Sequence, residues 1–120
     1  MDHDEFIRLV AQRADVPEDE AARLTRATML TLAERITAGE AEDLAEVLPP
    51  EVAPPLMPPV DVAQKFGLDE FVRRVSERAN VDETVARRGV RAVFMTLHDA
   101  VPGKEFQDVM DQLPNEFQDI

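Results

Sequence analysis

The sequence predicts an all-α fold, a six-helix bundle made of two tandem three-helix repeats. Residues 4–52 align without a gap on residues 69–117 at an offset of 65, and 20 of the 49 aligned positions are identical. Within each copy, apolar residues recur at the spacings of three and four that are typical of a helix face. A proline-rich stretch separates the two copies. We therefore expect two similar units that pack with pseudo-twofold symmetry and are joined by a proline-rich linker.

The duplication divides a single domain, residues 1–120, into three parts. Repeat one spans residues 4–52, a connector spans 53–68, and repeat two spans 69–117. Units of about 50 residues bury too little apolar surface to be stable alone, so the repeats should share one core. We expect the long second helices to form its centre.

The first helix of each repeat is predicted from an apolar face. That face carries Phe6, Leu9, Val10 and Ala14 in repeat one, and Phe71, Val72, Val75 and Ala79 in repeat two. In the turn that follows, Asp15 with Glu18, and Asn80 with Glu83, have the spacing of a capping box. Pro17 suits the first turn of a helix, where its missing N–H costs nothing. The second helices should begin at these residues.

The second and third helices follow from further apolar stripes. Those of the second helices are Ala21, Leu24, Thr28, Leu32 and Ile36, then Ala86, Val90, Val93, Phe94, Leu97 and Val101. Those of the third helices are Leu44, Val47 and Leu48, then Phe106, Val109, Met110 and Leu113. Gly39 and Pro102-Gly103 are predicted to end the second helices. Pro49 and Pro114 should end the third, because a residue before proline avoids the α conformation.

Six prolines lie between residues 49 and 59. Such a segment favours extended polyproline II, with a reach of about 3 Å per residue. It is interpreted as a stiff connector, held against the core by Val52, Leu56 and Met57. The alternative is a docking strip for an aromatic groove in another protein.

Composition and charge exclude several classes of function. The chain has no cysteine, which excludes disulfides and thiolate metal sites. Its net charge of −12 disfavours nucleic acid, because phosphate binding requires surplus Lys and Arg. No run approaches the roughly 18 apolar residues of a membrane span, and the first residues lack the pattern of a secretory signal. We therefore expect a cytoplasmic protein without nucleic-acid or membrane partners.

No catalytic, cofactor-binding or metal-binding set emerges from the sequence. Ser76 is the only serine, and no GxSxG-like turn presents it to a base. His3 stands among acidic residues, but consecutive residues of a helix do not converge on one ion. His98 has no ligand three or four residues after it. The expectation is a protein without enzymatic activity, metal or cofactor.

Six polar positions are retained in both repeats. They are Arg8/Arg73, Arg13/Arg78, Arg23/Arg88, Arg26/Arg91, Glu40/Glu105 and Asp43/Asp108. One interpretation is a ligand site that was duplicated together with the fold. The other, which we favour, is a set of ion pairs and carbonyl caps that maintain the same fold in both units. Glu70 and Arg73, for example, have the i,i+3 spacing of a helical ion pair.

Repeat two also carries a cluster of arginines. Residues 73–91 contain six arginines, and Arg74 and Arg87 replace Leu9 and Ala22 of repeat one. The candidate interaction face consists of Arg74, Arg87, Arg88 and Arg91. These side chains have forked donors that suit an acidic partner helix or a phosphorylated ligand. Pairing with the more acidic repeat one, inside the molecule, is the favoured alternative.

Three paired segments carry a family resemblance. They are DEFIRLV/DEFVRRV, ARLTRATMLTLAERI/ARRGVRAVFMTLHDAV and LAEVLPPEV/VMDQLPNEF. Together they resemble the bacterial family of unknown function numbered 2267, from about Asp4 to Phe117. The resemblance implies duplicated helical units that close on Leu-Pro. It implies no activity, so no residue inherits a role from it.

The function that these observations favour is a non-enzymatic interaction or accessory protein of the bacterial cytoplasm. Its partner is expected to be another protein, and the chain itself a monomer or a homodimer. The alternative is a small-ligand binder or sensor with a pocket between the two repeats, where helical folds often place sites. An enzyme ranks last, because the sequence offers no nucleophile, metal set or paired His and carboxylate.

Overall fold

Six α-helices and two 3₁₀ turns make up the fold in the computed structural model, which describes residues 1–120. Repeat one contains α1 (His3–Ala14), α2 (Glu18–Arg35) and α3 (Ala38–Val47). Repeat two contains α4 (Leu68–Ala79), α5 (Glu83–Ala100) and α6 (Gly103–Asp111). The 3₁₀ turns are Pro54–Leu56 and Asn115–Asp119. The predicted all-α, six-helix fold is confirmed.

The two repeats pack on each other in reciprocal pairs of helices. The first helix of each repeat lies on the second helix of the other, α1 on α5 and α4 on α2, while α2 also contacts α5 and α3 contacts α6. Phe6 of α1 and Phe71 of α4 are fully buried at equivalent positions. The predicted stripes of α2 and α5 are buried throughout, within one core that spans both repeats. None of the helices has the length and apolarity needed to cross a bilayer.

The predicted capping boxes are wrong. Asp15 and Asn80 end α1 and α4 instead, and both adopt the left-handed conformation, with φ of 57° and 56°. Asx residues tolerate this region because their short polar side chains bond locally. The N-cap of α2 is Pro17, without a side-chain bond, and the N-cap of α5 is Asp82, whose Oδ1 accepts from the Val85 N–H at 2.9 Å.

The predicted glycine stops are also wrong. Gly39 lies in the first turn of α3 and Gly103 begins α6, and no glycine has a positive φ. The preceding helices end at Ile36 and Val101, which are extended and still buried. Each extended residue turns the chain and keeps its side chain in the core, so no glycine is required.

The ends of the third helices agree in part with the Leu-Pro prediction. Leu48 is the extended C-cap of α3, directly before Pro49, but α6 ends at Asp111, two residues before Leu113. Val47 is 37% exposed, which contradicts its place in the predicted stripe. Ala41, Leu44 and Leu48 are buried instead, at spacings of three and four.

The proline-rich segment 49–59 is less extended than predicted. Its middle forms the 3₁₀ turn Pro54–Leu56, which lies against α2 and α3. Val52 and Leu56 are buried, whereas Met57 is 39% exposed. Two of the three expected anchors therefore hold this segment against the core.

Candidate functional site

Two of the duplicated arginine pairs link the repeats. Arg13 of α1 donates to Thr96 Oγ1 of α5 at 3.0 Å. Its counterpart Arg78 of α4 donates to Thr31 Oγ1 of α2 at 2.9 Å and to the Glu34 carboxylate at 2.6 Å. These reciprocal contacts join each first helix to the second helix of the other repeat.

Arg23 and Arg88 cap backbone carbonyls across the repeats. Arg23 Nε donates to the Ala79 carbonyl at the end of α4, at 3.3 Å, and Arg88 Nε donates to the Ala14 carbonyl at the end of α1, at 3.0 Å. The last carbonyls of a helix have no partner within the helix, so both contacts satisfy acceptors that would otherwise be unpaired. These two pairs have the fold-maintaining role that the sequence favours.

Glu40 and Glu105 have a different environment. Each opens an E-x-x-D pair on a third helix, with Asp43 on α3 and Asp108 on α6. Because α3 contacts α6, the two pairs face each other across the boundary between the repeats. One carboxylate oxygen from each of Glu40, Asp43 and Glu105 lies within 4.8 Å of the others. We call these four residues the carboxylate cluster.

The cluster has little compensating positive charge. Glu40 is only 8% exposed, and its Oε2, like Oε1 of Glu105, is buried without a hydrogen-bond donor. Lys104 bonds Asp108 at 2.9 Å on the exposed side, a contact that raises the lysine's pKa. Burial above all, then the interaction with the neighbouring Glu105 carboxyl and the charges of Asp108 and Asp43, raises the pKa of Glu40 to about 8.

The four arginines of the candidate interaction face lie in different environments. Arg74 bonds Glu70 at 2.8 Å and Glu34 of repeat one at 3.2 Å, and its guanidinium lies 3.9 Å from the Phe66 ring centre. Arg88 caps α1. Arg87 bonds the exposed Asp69 at 2.9 Å. Arg91 is exposed and has neither a hydrogen bond nor an ion pair.

Arg91 lines an apolar groove of repeat two. The groove has a volume of about 350 Å³ and lies between α5, α6 and the second 3₁₀ turn. Phe94 and Phe117 line it, with ring centres 5.9 Å apart, together with the 39% exposed Met95. His98 lies at its edge, stacked on Phe106 at 4.6 Å. No Asp or Glu lines this groove, although the protein has 25 of them.

The equivalent region of repeat one is partly occupied by the chain itself. Val52 is equivalent to Phe117 and is also buried. Leu30 and Ala33, the equivalents of Met95 and His98, line a cavity together with Pro55. In repeat one the turn Pro54–Leu56 lies against α2 and α3, and Leu56 is completely buried there. The turn thus occupies, in repeat one, part of the place that is a groove in repeat two.

A second cavity, of about 460 Å³, lies between α2, the connector and Arg78. Its charged residues, Glu34 and Arg78, already pair with each other at 2.6 Å. It therefore offers a ligand fewer free polar groups than the groove or the carboxylate cluster.

The remaining candidates from the sequence have local contacts. Ser76 Oγ donates to the Val81 carbonyl within its own turn. His3 Nδ1 lies 3.2 Å from its exposed neighbour Asp4. Neither is placed in a constellation with other reactive groups.

The carboxylate cluster was not predicted as a site. Its signal, the E-x-x-D pair in both third helices, is visible in the duplicated positions. The pattern does not reveal that α3 packs on α6, and that contact turns two separate surface pairs into one cluster. The groove was missed for a similar reason, because it depends on where the connector folds back.

Comparison with known proteins identifies the family of this chain. No curated protein matches the sequence. The family model described as "Uncharacterized conserved protein (DUF2267)" matches residues 3–120, nearly the whole chain. This agrees with the resemblance carried by the three paired segments, and the protein belongs to the DUF2267 family.

Proposed function

We propose that the protein is a non-enzymatic protein-binding module of the bacterial cytoplasm, and that its partner docks in the apolar groove of repeat two. The observation that carries this proposal is the difference between the repeats. The chain's own Pro54–Leu56 turn lies in part of the equivalent cleft of repeat one, whereas the groove of repeat two is open.

The turn in repeat one indicates the chemistry of the occupant. Leu56 buries a branched apolar side chain between two helices, and the preceding prolines limit the conformational entropy that such a segment loses on docking. Burial of one leucine contributes about 1.5–3 kcal/mol, which suits a weak and reversible interaction. A partner segment with proline followed by an aliphatic residue would bury the same kind of surface on Phe94 and Met95.

The charge at the edge of the groove indicates a further property of the partner segment. Arg91 stands unpaired at the edge of the groove, and no carboxylate lines it. In repeat one the equivalent Arg26 shares a cavity with Glu51, which precedes the docked turn. The partner segment should therefore carry an acidic residue before its prolines, as residues 51–56 of this chain do. The groove then selects an acidic, proline-containing segment of another protein.

The chain itself supplies the probe for a first test. The fluorescence anisotropy of a fluorescein-labelled peptide with the sequence of residues 50–59 should rise as the intact protein is added. Changing Leu56 of the peptide to Ser should weaken binding roughly 10- to 100-fold, because the apolar contact is lost. A peptide that fails to bind at millimolar protein would refute the proposed occupant.

Matched variants test whether the peptide binds in the groove. Arg91→Glu and Met95→Glu change exposed residues of the groove and should weaken peptide binding, the charge reversal by roughly 3- to 10-fold. Arg26→Glu makes the same change at the equivalent position of repeat one and should leave affinity unaltered. Equal losses for Arg26→Glu and Arg91→Glu would mean that overall charge, and not the groove, controls binding.

The alternative function, a ligand site between the repeats, has separate support. The carboxylates of α3 and α6 meet at that boundary, and the buried oxygens of Glu40 and Glu105 have no hydrogen-bond donor. A ligand there would be a cation, which is a different class from a partner protein.

A further inference from the structure

The carboxylate cluster concentrates negative charge at one point between the repeats. On each third helix the Glu and the Asp are three positions apart, so they lie on the same helical face. Packing of α3 on α6 brings oxygens of Glu40, Asp43 and Glu105 within 4.8 Å of one another, with Asp108 beside them. Like charges at this distance repel each other, and burial adds the cost of lost hydration.

Elsewhere the molecule compensates its partly buried acids. Glu34, whose side chain is 24% exposed, receives bonds from both Arg78 and Arg74. The more buried Glu40 receives none, and its Oε2 is enclosed without any donor. Oε1 of Glu105 is likewise buried and unpartnered. Two enclosed acceptors from opposite repeats thus lack a positive group between them.

We propose that Glu40, Asp43 and Glu105 bind one hard divalent cation, with Ca²⁺ preferred, at the boundary between the repeats. Carboxylate oxygens are the ligands that Ca²⁺, Mg²⁺ and Mn²⁺ prefer. Three oxygens that lie within 4.8 Å of one another can reach a single ion with ligand bonds of about 2.0–2.6 Å. Ca²⁺ accepts an irregular set of oxygens, whereas Mg²⁺ demands near-ideal octahedral geometry, so ligands drawn from two separate helices favour Ca²⁺. Asp108 adds negative charge at the exposed edge.

Bound in this way, the ion links α3 of repeat one to α6 of repeat two. It would satisfy the two enclosed oxygens and replace carboxylate repulsion by attraction. The site is independent of the groove and of any protein partner, so refuting one proposal leaves the other unaffected.

The test begins with metal-free intact protein and CaCl₂, followed by isothermal titration calorimetry and thermal unfolding. Ca²⁺ should bind with a stoichiometry of one and raise Tm by several degrees at about 100 times its Kd. MgCl₂ and MnCl₂ are titrated in parallel. Absence of binding by all three ions would overturn the proposal, and tighter binding of Mg²⁺ than of Ca²⁺ would overturn the preference for Ca²⁺.

Variants separate this site from the general acidity of the protein. Glu40→Gln/Glu105→Gln should abolish the Ca²⁺ response. Asp43→Asn changes an exposed ligand, leaves folding intact and should lower affinity about tenfold. Glu42→Gln, an exposed change on the same helix, should bind Ca²⁺ like the wild type. A double variant that still responds to Ca²⁺ would place binding elsewhere and refute the site.

Discussion

Leu24 and Gly89 are equivalent positions of the two repeats, and they meet where α2 lies on α5. A Cβ on Gly89 would lie 2.6 Å from Cδ2 and 3.0 Å from Cδ1 of Leu24, which is itself fully buried. Leucines therefore cannot be accommodated at both of these equivalent positions. Leu24 opposite Gly89 avoids the steric clash.

Gly89→Ala should destabilise the protein despite the better helix propensity of alanine. Propensity favours alanine by about 1 kcal/mol, whereas overpacking a tight core costs about 1–3 kcal/mol. We expect a net loss of about 1 kcal/mol in the free energy of unfolding, measured by urea denaturation. In a Leu24→Ala background the same change should no longer destabilise, since the clash is gone. A Gly89→Ala protein that is about 1 kcal/mol more stable than the wild type would contradict the close contact.

At the level of elements, the turn between α4 and α5 contains two residues that could cap the start of α5, Asn80 and Asp82. Asp82 accepts the Val85 N–H at 2.9 Å, whereas Asn80 ends the preceding helix in the left-handed conformation. Asp82→Ala should therefore cost about 1 kcal/mol of unfolding free energy, because an N-cap bond is lost. Glu83→Ala is the control, with an effect expected within about 0.5 kcal/mol, since Glu83 is exposed and makes no side-chain bond. A larger loss for Glu83→Ala than for Asp82→Ala would restore the capping box predicted from the sequence.

The number and order of the helices were predictable because their apolar stripes are long and occur twice. Helix ends were harder to predict, since Asx residues serve at either end of a helix and a local pattern does not show which. Asn80 illustrates this, because it is spaced as an N-cap and acts as a C-cap. The carboxylate cluster was half predictable: Glu40 and Glu105 are visible as duplicated positions, but only tertiary packing brings them together.

At the scale of the whole molecule, the repeats are joined by polar contacts as well as by the shared core. Glu34 of α2 accepts bonds from Arg78 at 2.6 Å and from Arg74 at 3.2 Å, both from α4. Arg74 has no counterpart in repeat one, where Leu9 stands at the equivalent position. Part of the arginine enrichment of repeat two is thus used to hold the more acidic repeat one.

The hydrogen bond from Arg78, with further help from the charges of Arg78 and Arg74, outweighs partial burial and lowers the pKa of Glu34 below its ordinary value of 4.5. The unfolded chain therefore holds this proton more tightly than the folded protein. The resulting stabilisation is complete above about pH 4.5 and is lost as the pH falls through the lowered folded pKa.

Glu34→Gln should consequently lower the free energy of unfolding at pH 7 by about 1 kcal/mol, since the pair is only partly screened by solvent. The difference from the wild type should shrink below about pH 4 and disappear once Glu34 is protonated in both states. Urea denaturation of both proteins at several pH values between 7 and 3 measures this, with the exposed and unpaired Glu46→Gln as a control that should show little difference at any pH. If the loss of unfolding free energy in Glu34→Gln stays constant down to pH 3, it arises from packing and neutral hydrogen bonding. The charge of Glu34 would then not contribute to holding the repeats together.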